Sequence, residues 1–274
     1  VVTEGILVRM IQDDPELSGV GALIFDEFHE RSLDADLGLA LALETQGALR
    51  DDLRIIVMSA TLDGEPIARL MGDCPVITSE GRAYPVETKY IVPRVDNWGN
   101  VRIDAEMTAA IRTALREETG SILAFLPGQG EITRVEAALK PSVGKDVIVA
   151  PLYGAMNAQA QDIAIEPAPD GMRKVVLATA IAETSLTIDG IRVVIDSGLQ
   201  RLPQFDPASG MTRLVTVKSS QASAEQRRGR AGRLEPGMCY RLWAEAEHRA
   251  RPAFTHAEIS VADLAPLTLE LARW

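Results

Sequence analysis

Only two of the chain's 274 residues are cysteines. Cys74 and Cys239 lie in no Cys-x-x-Cys or Cys-His cluster, which excludes a disulfide framework and makes a reducing cytoplasm the simplest expected compartment. The three histidines are scattered, so no zinc-ligand spacing is visible. No apolar run reaches the roughly 18 residues a membrane helix needs, and no basic segment followed by an apolar core opens the chain as a secretory signal would. A membrane partner is therefore not expected. Internal repeats and low-complexity segments are also missing. Positive charge is in deficit, with 28 Lys and Arg against 39 Asp and Glu and a net charge of −11. That balance argues against binding nucleic acid through bulk surface electrostatics.

What is present is a globular composition with room for one large domain or two ordinary ones. The stretch Ala22-Leu23-Ile24-Phe25-Asp26-Glu27-Phe28-His29-Glu30-Arg31 organises the rest. An apolar run of this kind reads as a buried parallel strand, and α/β folds place their ligand chemistry just past the carboxyl ends of such strands. Two acids at that edge suit a nucleotide-hydrolysing site, one for Mg²⁺ and one for the attacking water. Taken alone, the tetrapeptide serves equally well as a strand followed by a helix start, its acids favouring the helix dipole. A second cluster, Arg227, Arg228, Arg230 and Arg233, is interrupted by Gly229 and Gly232. Each glycine weakens a helix by about 1 kcal/mol, so a close backbone approach is a better reading than a solvated helix face.

Along the chain, Val20–Phe25 reads as a strand, Asp34–Leu49 as a helix with apolar spacing, and Ile55–Met58 as a strand ending in Ser59-Ala60-Thr61. This order implies a parallel sheet with a right-handed crossover, delivering Asp26, Glu27, Ser59 and Thr61 to one edge. Asp63–Cys74 reads as a short helix, and Val76–Thr78 and Val86–Val92 as strands. Pro93–Val101 is the best linker, so the expected division is 1–93, 94–246 and 247–274. The second part again alternates strand and helix, with strands at Ser121–Leu126, Val147–Val149, Lys174–Ala178, Val193–Ile195 and Met238–Trp243. Helices are expected over Ile103–Thr119, Glu131–Leu139, Asn157–Ile165 and Ala224–Arg233, and a hairpin over Leu199–Val217. The fold class expected is α/β, doubly wound twice, with acids on the first unit and arginines on the second.

Six stretches fall in the order of the motifs of DEAH-box helicases: Thr3–Leu7, Asp26–His29, Ser59–Thr61, Phe125–Gly128, Ala178–Ile188 and Gln226–Arg233. The chain resembles that family, and Phe28 followed by Glu30–Asp36 looks most like its bacterial HrpB group. The resemblance implies two RecA-like doubly wound parallel-sheet domains, the first incomplete, followed by the start of a winged-helix segment at 247–274. It implies ATP or another NTP with Mg²⁺ as cofactors and single-stranded RNA as partner. By that resemblance Asp26 and Glu27 serve the metal, Glu27 activates water, and His29 links the nucleotide site to the second domain. Ser59 and Thr61 couple hydrolysis to movement. Gln226 places the water, and Arg230 and Arg233 reach the terminal phosphate as arginine fingers. Thr3, Gly128 and Thr179 touch the RNA backbone, contacts that position a strand without reading bases.

The chain departs from the family pattern in three places. It contains no Gly-x-x-x-x-Gly-Lys-Ser/Thr, since Gly144-Lys145-Asp146 is not one. The phosphate loop is therefore expected upstream of Val1, and the chain alone is expected to be inactive. Ala180 replaces the family's usual asparagine, and Leu199 stands where many relatives carry a base-stacking aromatic, so weak base discrimination is expected. The alternatives from other classes are a non-catalytic RNA-binding or scaffold module, and a DNA helicase of similar build.

Overall fold

The computed structural model describes every residue except 61–63, 80–83, 97 and 184–185. Contacts divide the chain into two units: Val1–Glu80 with Pro203–Arg213 and His256–Trp274, and Gly81–Leu202 with Leu214–Thr255.

In the first unit, β1 (Ala22–Phe25) and β2 (Arg54–Val57) pair in parallel with Leu23 opposite Ile55 and Phe25 opposite Val57. Helices α1 (Glu4–Asp13) and α2 (Leu33–Ala48) bury Leu7, Val8, Ile11, Leu37, Leu39 and Leu41 in one core with Leu23, Phe25 and Phe28. Ser32 caps α2, its Oγ accepting the Ala35 N–H at 3.1 Å, an interaction worth about 1 kcal/mol. Asp34 and Asp36 in the first turn suit the helix dipole. Helix α3 (Glu65–Leu70) follows. The stretch Val76–Thr78 is not a strand; Ile77 is exposed, and no neighbouring strand is recorded for it among the described residues.

The second unit is a six-stranded sheet in the order β3-β10-β7-β4-β6-β5, parallel throughout. Its strands are β3 (Val86–Tyr90), β4 (Ser121–Phe125), β5 (Val147–Leu152), β6 (Arg173–Ala178), β7 (Ile191–Asp196) and β10 (Gly237–Arg241), with β8 (Leu199–Asp206) and β9 (Met211–Lys218) forming a separate hairpin. Helices α4 (Ile103–Glu117), α5 (Gln129–Leu139), α6 (Ala158–Ile165), α7 (Gln221–Gly229) and α8 (Glu245–Arg249) accompany them. Successive strand residues point to opposite faces. Ile122 and Ala124 of β4 accordingly join a core with Met107, Ile111 and Ile132, while Leu123 and Phe125 join another with Val176 and Val194. Both faces are covered, as all-parallel sheets require.

Two expectations need correction. β3, grouped above with the first domain, pairs with β10 at the edge of the second sheet; the break between units falls at 80/81 and not at 93/94. Alternation within Val-Glu-Thr-Lys-Tyr states that β3 has one buried face, not which sheet it joins. The final helix α9 (Ala265–Arg273) belongs with the first unit, where Leu267 packs on the core. Glu258 fixes the approach to it, accepting the Leu33 N–H at 2.8 Å and donating its own N–H to Arg31 O at 3.0 Å. Leu264 and Leu271 stay exposed.

Candidate functional site

In the first unit the chain leaves β1 at Phe25 and turns sharply. Phe28 is the anchor, 3% exposed and edge-on to Phe25 with ring centroids 6.2 Å apart. Its N–H donates to Met58 O at 3.0 Å, and the Met58 N–H donates to Phe25 O at 2.8 Å. The acidic turn is thus tied directly to the end of β2. Glu27 and Arg31, at φ 50° and 53°, flank the short helical turn Phe28–Glu30 in the left-handed region. Such residues cost about 1–3 kcal/mol each and persist where their surroundings over-determine them.

The turn places Asp26 in solvent with one carboxylate oxygen accepting the Glu27 N–H at 2.9 Å. His29 Nδ1 accepts the Ala60 N–H at 3.3 Å and lies 3.4 Å from Glu27 Oε2. That nitrogen can serve one of them at a time. The Ala60 backbone amide thus meets the acidic turn at His29. Thr61 lies outside the described residues. Thr3 precedes α1 as its N-cap, with an exposed side chain that makes no cap bond.

In the second unit, Gly128 follows β4, Thr179 follows β6, and Ser197 follows β7. All are at the carboxyl edge, beside the point where the chain crosses from β6 to β7 over β4. Thr179 is half-buried and its N–H donates to Leu152 O at 3.2 Å. Ala180 is exposed. The arginine motif splits into side chains with different tasks. Arg227, 1% exposed, donates Nε to Glu183 at 2.9 Å, Nη1 to Asp196 at 2.9 Å and Nη2 to Gln200 at 3.2 Å, and lies over the Phe125 ring. Burial would push this guanidinium down, but the Asp196 and Glu183 carboxylates outweigh it and raise its pKa. Arg230 directs Nη1 to Leu186 O at 2.7 Å, and Nε (2.8 Å) and Nη2 to Glu183 O. Arg233 is exposed and its Nη1 donates to Thr187 Oγ1 at 3.0 Å. Gln226 is half-buried on α7.

The structure thus brings Arg230 and Arg233 to the loop Thr179–Ile188, leaves Gln226 on α7, and brings Asp26, Glu27, His29 and Ser59 together on the other unit. The network of Glu183, Asp196, Gln200 and Arg227 was not anticipated. Its signal was legible: Asp196 ends an apolar strand, and Ser223, Ala224 and Arg227 share one buried face of α7. Cys239 is buried, its thiol pushed up to about 12 chiefly by that burial, and is chemically quiet. A cavity of about 490 Å³ lined by Arg112, Arg116 and Arg173 lies at the opposite, amino edge of the sheet and holds none of these residues.

One unit is a parallel sheet with arginines at its carboxyl edge, and the other bears paired carboxylates after β1. Residues 105–235 match the helicase conserved C-terminal domain. The chain is 54% identical to the ATP-dependent RNA helicase HrpB of Escherichia coli over 275 residues, covering all of this chain and 33% of that protein. It is 44% identical to the pre-mRNA-splicing factor ATP-dependent RNA helicase prp22 of Schizosaccharomyces pombe over 90% of this chain and 21% of that protein. A crystal structure of the Escherichia coli DEAH/RHA helicase HrpB superposes with a TM-score of 0.92 at 53% identity, over all of this chain and 34% of that one. The chain spans about a third of HrpB and less of prp22. No helix among the described residues is long and apolar enough to cross a membrane.

Proposed function

We propose that the chain supplies working parts of an ATP-dependent RNA helicase, in which hydrolysis drives movement along single-stranded RNA. The observation that carries this reading is the acidic turn after β1: Phe28 bonds to Met58 O, and the His29 ring accepts the Ala60 amide. A change at the carboxylates would thereby be felt at the backbone of Met58 and Ala60. The relatives' names and the arginine loop of the second unit support the same reading.

Asp26 suits Mg²⁺, which keeps several waters and binds through one or two carboxylates plus substrate phosphates, with no dedicated protein cage. Asp26 is an exposed hard-oxygen donor, and no group of three metal-binding side chains occurs among the described residues. Bound there, the ion would neutralise charge developing on the phosphates. Glu27 would accept a hydrogen bond from the attacking water. Arg233 would stabilise the transferring phosphoryl group as a finger, with Gln226 placing the water. Arg230 could do the same only by releasing Glu183 O and Leu186 O; as arranged, it holds the loop that carries Thr179. Gly128, Thr179 and Thr3 would face the RNA backbone, and Ser59 and Thr61 would couple hydrolysis to movement. We assign His256–Trp274 to the approach to a winged-helix segment, and the protein to the cytoplasm.

The chain contains no Gly-x-x-x-x-Gly-Lys-Ser/Thr, so these 274 residues alone should turn over ATP negligibly. ATP hydrolysis measured on the full reading frame that carries the chain should be stimulated by single-stranded RNA. Glu27→Gln should lower it at least about 10²-fold, and Arg233→Ala about 10³-fold or more. Hydrolysis indifferent to both substitutions would overturn the assignment.

A further inference from the structure

Gly128 has φ −170°, an extended backbone open to any residue; what lies against it is the movable end of the Arg201 side chain. A Cβ at this position would sit 2.6 Å from Arg201 Nη1 and 2.7 Å from Arg201 Cζ. The glycine admits a guanidinium to the backbone between β4 and α5. Strand alternation explains why this residue arrives there: in β8, Gln200 is buried and bonded to Arg227, which turns Arg201 outward.

Arg201 is only loosely engaged. Its Nη2 lies 3.4 Å from Glu131 Oε2, with 38% of the Arg201 side chain exposed. The other Glu131 oxygen is taken at 2.9 Å by Arg134, which also holds Asp104 at 3.2 Å. Glu131 is therefore the shared acceptor of two guanidinium groups, and Arg201 has the longer contact. A phosphodiester would serve Arg201 better, since a guanidinium fork matches phosphate oxygens bidentately.

We propose that Arg201 is a backbone-contacting residue for single-stranded RNA, and that Glu131 occupies it until a phosphate displaces the carboxylate. The proposal rests on the reading that RNA runs past Gly128 and extends it by one cation and one competitor. Arg201 is a sequence-independent contact of this kind, consistent with a chain whose net charge is −11.

The test is fluorescence anisotropy of a labelled uridine oligonucleotide with the full reading frame, titrated at several salt concentrations. Arg201→Ala should weaken binding roughly three- to tenfold and reduce the salt slope by about 0.7, the loss of one single-strand phosphate contact. Arg201→Lys should restore the slope. Glu131→Gln should tighten binding about two- to threefold, and that gain should vanish in the Arg201→Ala background, as coupling between contacting residues requires. Glu136→Gln, a carboxylate on the same helix paired with Lys140, should change affinity by less than about twofold. Melting curves for each variant separate lost contacts from lost folding. Wild-type binding that Arg201→Ala leaves intact would overturn the inference while the RNA reading stands. Weaker binding on Glu131→Gln would overturn the competitor role. No wild-type binding at any salt would overturn the RNA reading and this inference together.

Discussion

β1 and β4 look alike in sequence, Ala-Leu-Ile-Phe against Ser-Ile-Leu-Ala-Phe, and each leads into a candidate loop, yet their surroundings differ. β4 has a hydrogen-bonded neighbour on either side, and all five of its residues are buried. β1 pairs with β2 alone among the described strands; its Leu23 and Phe25 are buried while Ile24 is 60% exposed, beside Ile56 at 47% on β2. An apolar strand records that burial is available to it, and its neighbours decide on how many faces. The candidate loops follow the same division. The arginine loop of the second unit is fixed by a buried ion-pair network, whereas the acidic turn of the first is held by the Phe28 ring, backbone bonds and the half-exposed Arg31–Asp36 pair.

The largest expected effect tests whether that network stabilises the second unit. Arg227→Ala strands Glu183 and Asp196 without their cation, and should destabilise the unit by about 3–5 kcal/mol. The two free cysteines report the units separately: Cys74 is half-buried in the first and Cys239 fully buried in the second. Alkylation of Cys239 should accelerate sharply in this variant while that of Cys74 stays unchanged. Equal protection of Cys239 in both proteins would show that the network is dispensable for folding.

In the first unit, Leu39→Ala removes a side chain 1% exposed and should cost about 2–5 kcal/mol in urea unfolding. Ile24→Thr, on the open face, should fall within about 0.5 kcal/mol. A large loss from Ile24→Thr would mean that this face is covered in solution, and the contrast between β1 and β4 would disappear.

A smaller effect concerns pH. His248 in α8 is pushed below the ordinary histidine range, first by burial and then by the Arg241 charge, with Arg251 acting in the same sense and Glu225 opposing. Its neutral form is favoured in the fold, so the unfolded chain binds the additional proton as pH drops. The contribution is fully present above the unfolded pKa of about 6.5 and is lost as pH falls through the lower folded value. Cys239 protection should weaken from pH 7 toward pH 5, and His248→Gln should flatten that dependence. Glu225 is also held low: burial works against this, but the Arg241 and Arg228 guanidinium groups prevail. Its contribution is lost only at more acidic pH, so the two windows are separable.

Most of the secondary structure was legible, because apolar runs, helical spacing and caps such as Ser32 and Asn157 act locally. Placement of β3 was not, since pairing with β10 joins residues far apart in sequence. The candidate site was legible as motifs: Asp26, Glu27 and His29 stand after a strand, and Gln226, Arg230 and Arg233 stand on and just past a helix. The tasks of individual arginines were not. In Gln-Arg-Arg-Gly-Arg-Ala-Gly-Arg every guanidinium has the same chemistry, and only the carbonyls and carboxylates around it show that Arg227 is a buried brace, that Arg230 holds a loop, and that Arg233 faces solvent.

The sequence by itself determined which residue types stand past which strands, because backbone preference and side-chain period are local properties. The tertiary structure decided which equal charges are spent internally and which stay exposed, since that depends on partners brought together from distant segments. Arg201 shows the difference: in sequence it is one of many arginines, and in the fold it lies against Gly128 with a distant carboxylate as its occupant.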